Sequence, residues 1–334
     1  MQSTTNDVTT VQSKQPDHWA CAINDYGVLA VSGADSQSLL QGQTTCDFKQ
    51  LKSNHWTMGA LCNPKGRVIT TFKALATDSG FLLIVPVSMI ETVCKRLKMY
   101  ILRSDVTVTD DNEHWRLIGF SSDLNSLDQI ALPSANNVTK NGDSYFLGCH
   151  NRDGQPSRYL ILTKTDCADD SFQQLTSLGL TSTDAETWNQ HEILNGTPTI
   201  SPPITEAFTP QMLNLDLLNA ISFEKGCYTG QEVVARTQHL GTLKRRMVGL
   251  TCAAEVIPEP GTRIFSKSSQ IQDSVGQIVR SASGFSNSSI SDNQSVMLAV
   301  LQTSAMHSTD LYFETPDTTA LVIANIFDPQ HQPQ

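Results

Sequence analysis

Residues 223–232 read Phe223-Glu224-Lys225-Gly226-Cys227-Tyr228-Thr229-Gly230-Gln231-Glu232, and the rest of the chain is best understood outward from this stretch. Thr229 and Glu232 stand in the T-x-x-E spacing of a capping box. That spacing predicts a helix starting there, running through Val233, Val234 and Arg236, and stopping near Gly241. Cys227 would then sit two residues ahead of the cap. Gly226 and Gly230 permit backbone conformations closed to other residues, which suits a sharp loop that holds a sulfur in the open. A helix N-terminus, Lys225 and Arg236 would all favour thiolate over thiol, and Glu232 would oppose them unless the cap occupies it. On the residues alone, a reactive or ligand-binding thiol and an inert buried cysteine both stand.

The surroundings of this segment are basic. Residues 225–246 hold Lys225, Arg236, Lys244, Arg245 and Arg246 against Glu232 alone, in a chain whose formal net charge is −10. A basic segment in an acidic protein suits an anion or a partner surface, or else a solvated linker. The overall acidity argues against direct nucleic-acid binding, although Lys244, Arg245 and Arg246 would be the place for it.

The 334 residues predict two or three domains. Hydrophobic content of 39% excludes a disordered chain, and the longest apolar run, Phe81 to Val87, is far short of the ~20 residues that span a bilayer. Residues 1–17, rich in Gln, Ser, Thr and Asn, read as a disordered tail and not as a signal peptide. The eight cysteines include no C-x-x-C, which argues against a metal or cluster site with paired ligands, so no metal is expected. They point to reduced thiols and a cytoplasmic location.

Short strands and helices alternate from Trp19 onward, which is an α+β pattern. Asn24-Asp25-Tyr26-Gly27, between His18–Ile23 and Val28–Ser32, predicts a hairpin, and a helix is expected over Ala34–Gln41. Trp56–Cys62, Arg67–Ala76 and Phe81–Val85 predict a meander. Capping boxes at Ser88/Glu91 and Thr183/Glu186 predict helices after them, and Gly196 is placed to stop the second. Thr197–Pro210 holds four prolines and excludes a regular element. Beyond Gly241 short apolar stretches, the last at Leu321–Ile326, are separated by Gly, Pro, Ser and Asn, which suggests a small β-barrel. The domains expected are therefore a tail (1–17), an α+β body in two portions (18–240, with a break near 110–150) and a C-terminal β-barrel (241–330).

Lys225-Gly226-Cys227-Tyr228-Thr229-Gly230-Gln231-Glu232 resembles the signature of the YgfZ family of folate-binding proteins, relatives of the T-protein of the glycine cleavage system. Ser32-Gly33-Ala34-Asp35, Leu40-Gln41-Gly42-Gln43, Cys62-Asn63-Pro64-Lys65-Gly66-Arg67 and Pro210-Gln211 with Asn214-Leu215 resemble other blocks of that family. The resemblance covers most of residues 18–250. It implies an aminomethyltransferase-like ring: two α+β portions plus a small C-terminal β-barrel around a central channel that accepts tetrahydrofolate or a derivative. It also implies folate contacts at Trp19 and Trp188, where an indole offers a stacking face and an N–H donor to a pterin. A cation, Lys225 or Arg236, is expected for the anionic glutamate tail. By its residues alone, Trp188 is instead a core residue of an amphipathic helix.

The function implied is that of an accessory protein supporting assembly or repair of iron–sulfur enzymes, and through them tRNA modification, with Cys227 as its reactive residue and iron–sulfur proteins or assembly factors as partners. The alternative is a folate-dependent one-carbon (aminomethyl) transferase. Whether the chain is an enzyme is left open by the sequence.

Overall fold

A computed structural model describes residues 17–313 except 128–129, 152–155, 241–242, 254–256, 268–272, 288–289, 307 and 309. The expected tail and the apolar stretch Leu321–Ile326 therefore lie outside the described residues, apart from Asp17. The fold is mixed α+β and mostly strands.

The meander forms as read. Trp56–Cys62, Val68–Thr77 and Gly80–Pro86 pair antiparallel in sequence order, and Tyr26–Ser32 and Thr107–Asp110 complete a five-stranded sheet. Helices α1 (Ser36–Gln43) and α2 (Ile90–Lys98) pack on it, and α2 buries Ile90, Val93 and Leu97. A second, six-stranded sheet has the order Val138–Asn141, Ser144–Gly148, Ser157–Lys164, Trp115–Ser122, Trp19–Ile23 and Thr181–Ser182. The predicted hairpin is not formed. Trp19–Ile23 pairs with Trp115–Ser122 in the second sheet, whereas Tyr26–Ser32 pairs with Gly80–Pro86 in the first. The Asn24-Asp25 link is a crossing between sheets, because each strand finds its apolar partner elsewhere in the chain.

Helices α3 (Ala168–Ser177) and α4 (Ala185–Leu194) follow the second sheet. Neither predicted capping box closes. At α4 the cap is Asp184, whose side chain accepts from the Thr187 backbone N–H; the Glu186 carboxylate instead accepts from the backbone N–H of Ser283 at 2.7 Å. At α2 no side chain caps the helix, and Glu91 pairs with Lys95 one turn on at 2.5 Å. Gly196 does follow α4 in the left-handed region, with φ +67. The proline-rich stretch forms only single 3-10 turns, at Pro202–Ile204 and Pro210–Leu213. Helix α5 spans Gln231–Leu240.

The C-terminal strands form a five-stranded antiparallel sheet in the order Arg245–Ala253, Ile290–Gln302, Gly276–Asn287, Arg263–Ser266 and Leu311–Phe313. Its outer strands, Arg245–Ala253 and Leu311–Phe313, do not pair with each other among the described residues. A register shift between Ile278 and Arg280 breaks the side-chain alternation there. Arg280 is buried and donates to Tyr26 Oη at 3.1 Å and Thr199 Oγ1 at 2.7 Å, tying this sheet to the rest of the protein.

Candidate functional site

Cys227 is the exposed member of the eight free cysteines. Its loop is gripped from both sides. Lys225 is buried, and its ammonium donates to the carbonyls of Thr44 (2.8 Å) and Cys46 (2.6 Å). The Thr229 backbone N–H donates to the Gly42 carbonyl and its hydroxyl to Gln43 Oε1 at 2.9 Å. Thr229 therefore ties the loop to α1 instead of capping α5, and α5 begins only at Gln231, after Gly230 at φ +86. A Cβ on Gly230 would stand 2.5 Å from the Asn63 carbonyl, so the Cys62–Arg67 turn sits directly against the signature loop. Three separated stretches of sequence thus converge around one exposed thiol.

Lys225 does not serve as a free cation. Burial holds its ammonium down at about 8, while the nearby Cys46 and Asp47 draw it back up. Tyr228 is buried beneath it, with the ammonium 5.1 Å from the ring centroid. Gly226, Glu232 and Arg236 are exposed, the last two on α5, and Gln231 is half-buried. Arg246 is not free either. It makes a two-pronged pair with Asp216, at 2.7 and 2.8 Å, and reaches the Gln211 carbonyl, which fixes the start of the C-terminal sheet onto the Pro210–Leu215 block.

Beside this loop lies a cavity of about 480 Å³, within the size range of small-molecule sites. Cys46 and Ser222 line it and also hold Lys225, through the Cys46 carbonyl and the Ser222 hydroxyl, so the signature loop backs onto the cavity wall. Three charged side chains dominate its interior. Glu192 on α4 accepts from Lys73 Nζ at 2.8 Å and from Arg158 Nη1 at 3.3 Å, and all three are buried. Burial alone would raise the Glu192 carboxyl, but Lys73, Arg158 and Arg280 outweigh it and hold the group at about 2. Two cations thus face one carboxylate.

Trp19 and Trp188 meet edge to face, with ring centroids 6.3 Å apart, and are 0% and 1% exposed. They belong to one apolar cluster, and neither is among the residues lining the cavity. The Arg158 guanidinium, which does line it, lies 5.2 Å from the Trp188 ring centroid, so Trp188 stands one layer behind the wall. Gly119 makes this close approach possible: a Cβ there would stand 2.3 Å from Trp188 Cε3. The Trp19 Nε1–H is buried with no hydrogen-bond partner among the described residues. Such orphaned donors are rare and mark sites where something else accepts.

Sequence reasoning passed over Glu192, Lys73 and Arg158. Two local signals pointed to them. Glu192 follows Trp188 by one helical turn and so shares its buried face. Lys73 interrupts the apolar strand Val68–Thr77, of which the first eight residues are buried. Among the described residues no group of three or more His, Cys, Asp or Glu is placed to hold a metal ion, and no helix is long and apolar enough to cross a membrane.

No protein-family model matches the chain. It is 34% identical over 254 residues to the tRNA-modifying protein YgfZ of Aliivibrio fischeri strain ES114, covering 75% of this chain and 76% of that one. With the tRNA-modifying protein YgfZ of Colwellia psychrerythraea it shares 30% identity over 275 residues, 80% of each chain. Among solved structures, the glycine cleavage system aminomethyltransferase T from Bartonella henselae matches with a TM-score of 0.72 over 93% of this chain and 86% of that one. At 14% identity this is a likeness of fold.

Proposed function

This chain belongs to the YgfZ family, and on that premise we propose that it is a tetrahydrofolate-binding accessory protein of the cytoplasm that supports assembly or repair of iron–sulfur enzymes, and through them tRNA modification. Its clients on this reading are iron–sulfur proteins or assembly factors, not nucleic acid directly. The observation that carries the proposal is the pairing of an exposed thiol, Cys227, with a cavity whose wall is braced by the same loop. The body (18–240, broken near 110–150) and the C-terminal unit (from 241) form on this reading a ring with the cavity as its central channel.

The residues present fit a folate. A pterin is flat and edged with N–H donors and acceptors, and the cavity offers a carboxylate and a guanidinium. An ionised carboxylate has about four acceptor positions, and Glu192 spends two of them on Lys73 and Arg158. Glu192 would accept from the pterin edge and the Arg158 guanidinium would supply a flat face; Trp188, packed behind Arg158, and Trp19, in the same apolar cluster, would hold that face in place. Bound tetrahydrofolate supplies one-carbon chemistry at its nitrogens. The protein's own part is to orient it and to hold Cys227, in the Lys225-Gly226-Cys227-Tyr228-Thr229-Gly230-Gln231-Glu232 loop, in reach of solvent and partner. Arg236, exposed on the next helix, would contact an anionic group on that partner or on the folate.

Titration of intrinsic fluorescence with tetrahydrofolate tests the cavity: wild type binds, and Trp19→Phe and Trp188→Phe bind more weakly. Unchanged affinity in both variants would reassign the pocket. Cys227→Ala, expressed in cells lacking the wild-type protein, fails to restore iron–sulfur enzyme activity; full restoration would remove Cys227 from the function. The aminomethyl transferase reading draws on the carboxylate in the cavity, and turnover of an aminomethyl donor with tetrahydrofolate would select it.

A further inference from the structure

The loop that follows α1 carries Lys49-Gln50-Leu51-Lys52-Ser53-Asn54-His55, and Gln50, Leu51, Lys52 and His55 all line the mouth of the cavity. Lys49 and Lys52 are exposed, and neither has a carboxylate within ion-pairing distance among the described residues. Asp47, just ahead of this segment, also lines the cavity. Its Oδ1 accepts from Gln41 Nε2 and from the Lys49 backbone N–H, both at 3.0 Å, which holds the turn in shape while its carboxylate stays beyond ion-pairing distance of both ammonium groups. His150 and the buried Arg158 also line the cavity. The lining therefore carries Lys52, Arg158 and Lys73 against Asp47 and Glu192; Arg158 and Lys73 are paired with Glu192, and Lys52, with Lys49 three residues before it, is the exposed and unpaired end of this cationic track.

Such a cationic track is exceptional in a protein of net charge −10, whose general field repels anions. A cavity of about 480 Å³ encloses one small molecule. An anionic extension of that molecule has to leave through the mouth, where the unpaired ammonium groups are. The track is also too short for a nucleic-acid footprint, which uses about 6–10 phosphate contacts.

We propose that the Lys49–His55 rim is a subsite for the γ-linked polyglutamate tail of a folate, so that the protein selects polyglutamylated over monoglutamylated forms. This rests on the folate reading above. Lys52 takes the first carboxylates beyond the cavity and Lys49 those further out, while Lys225, committed to two backbone carbonyls, takes none.

The test is binding of tetrahydrofolate monoglutamate and pentaglutamate to the full chain, at low and at high salt. The wild type binds the pentaglutamate about 2- to 30-fold more tightly, as two exposed ion pairs allow, and the ratio shrinks with added salt. In the Lys49→Gln/Lys52→Gln double variant the ratio falls toward one, whereas Lys98→Gln on α2, away from the rim, keeps it. Equal affinities in the wild type, or an undiminished ratio in the double variant, overturn the subsite and leave the folate reading standing. No binding of either form overturns the folate reading itself, and the subsite with it.

Discussion

Lys73 Nζ lies 2.8 Å from Glu192 Oε2, an ion pair between two buried side chains 119 residues apart. It joins the first sheet to α4, and Arg158 extends it to the second sheet. Burying charge is costly unless each group is matched, and removing one partner leaves the others stranded.

Glu192→Gln should therefore be among the most damaging single substitutions. It strands two buried cations, and the expected loss is about 3–5 kcal/mol in urea or thermal unfolding. Adding Lys73→Met to that variant should restore part of the loss. A cost under about 1 kcal/mol for Glu192→Gln would contradict the burial of the pair.

Stability should fall on acidification in two overlapping windows. Burial, with Arg158 adding to it, holds His191 down at about 3 from an ordinary 6.5, so the unfolded chain takes up a proton that the folded protein refuses. Stability is lost as pH drops from 6.5 toward 3. Glu192, held at about 2 against an ordinary 4.5, adds a second loss between 4.5 and 2. Denaturant midpoints from pH 7 to 3 should show His191→Asn flattening the upper part of the curve and leaving the lower part.

Cys227 should be the first thiol alkylated at neutral pH. Cys94 and Cys167 are half-buried and should follow more slowly. Cys21 and Cys62 are pushed up to about 12 by burial, and Cys46, Cys149 and Cys252 to about 11, so these five should resist until the protein unfolds. Site-resolved mass spectrometry after brief iodoacetamide exposure distinguishes this order from uniform labelling.

Gly230→Ala should loosen the signature loop. At φ +86 an L side chain is strained, and its Cβ would press on the Asn63 carbonyl. A destabilisation of about 1–3 kcal/mol is expected, with an altered alkylation rate at Cys227. An unchanged rate would mean that the Cys62–Arg67 turn does not hold the loop.

The elements read most easily were those set by neighbouring residues. The Trp56–Pro86 meander, the helix at Ala185–Leu194 and the stop at Gly196 follow from alternation, periodicity and a glycine. The hairpin at Asn24–Gly27 and the capping boxes did not form as read. At the hairpin and at two of the boxes a distant partner outbid the local one, Gly80–Pro86 for Tyr26–Ser32, Ser283 for Glu186 and Gln43 for Thr229, whereas Glu91 took Lys95 one turn on.

The sequence by itself determined the signature loop, its family and the cysteine at its centre, because eight ordered residues with two glycines are a local pattern. Only the tertiary structure decided which charges are available. Lys225 and Arg246, the evident cations in the sequence, are spent on Thr44, Cys46 and Asp216, while Lys52 stands free at the cavity mouth. The physical reason is that a side chain's charge is local but its partner and its burial are not: both are set where strands and helices far apart in the chain come together.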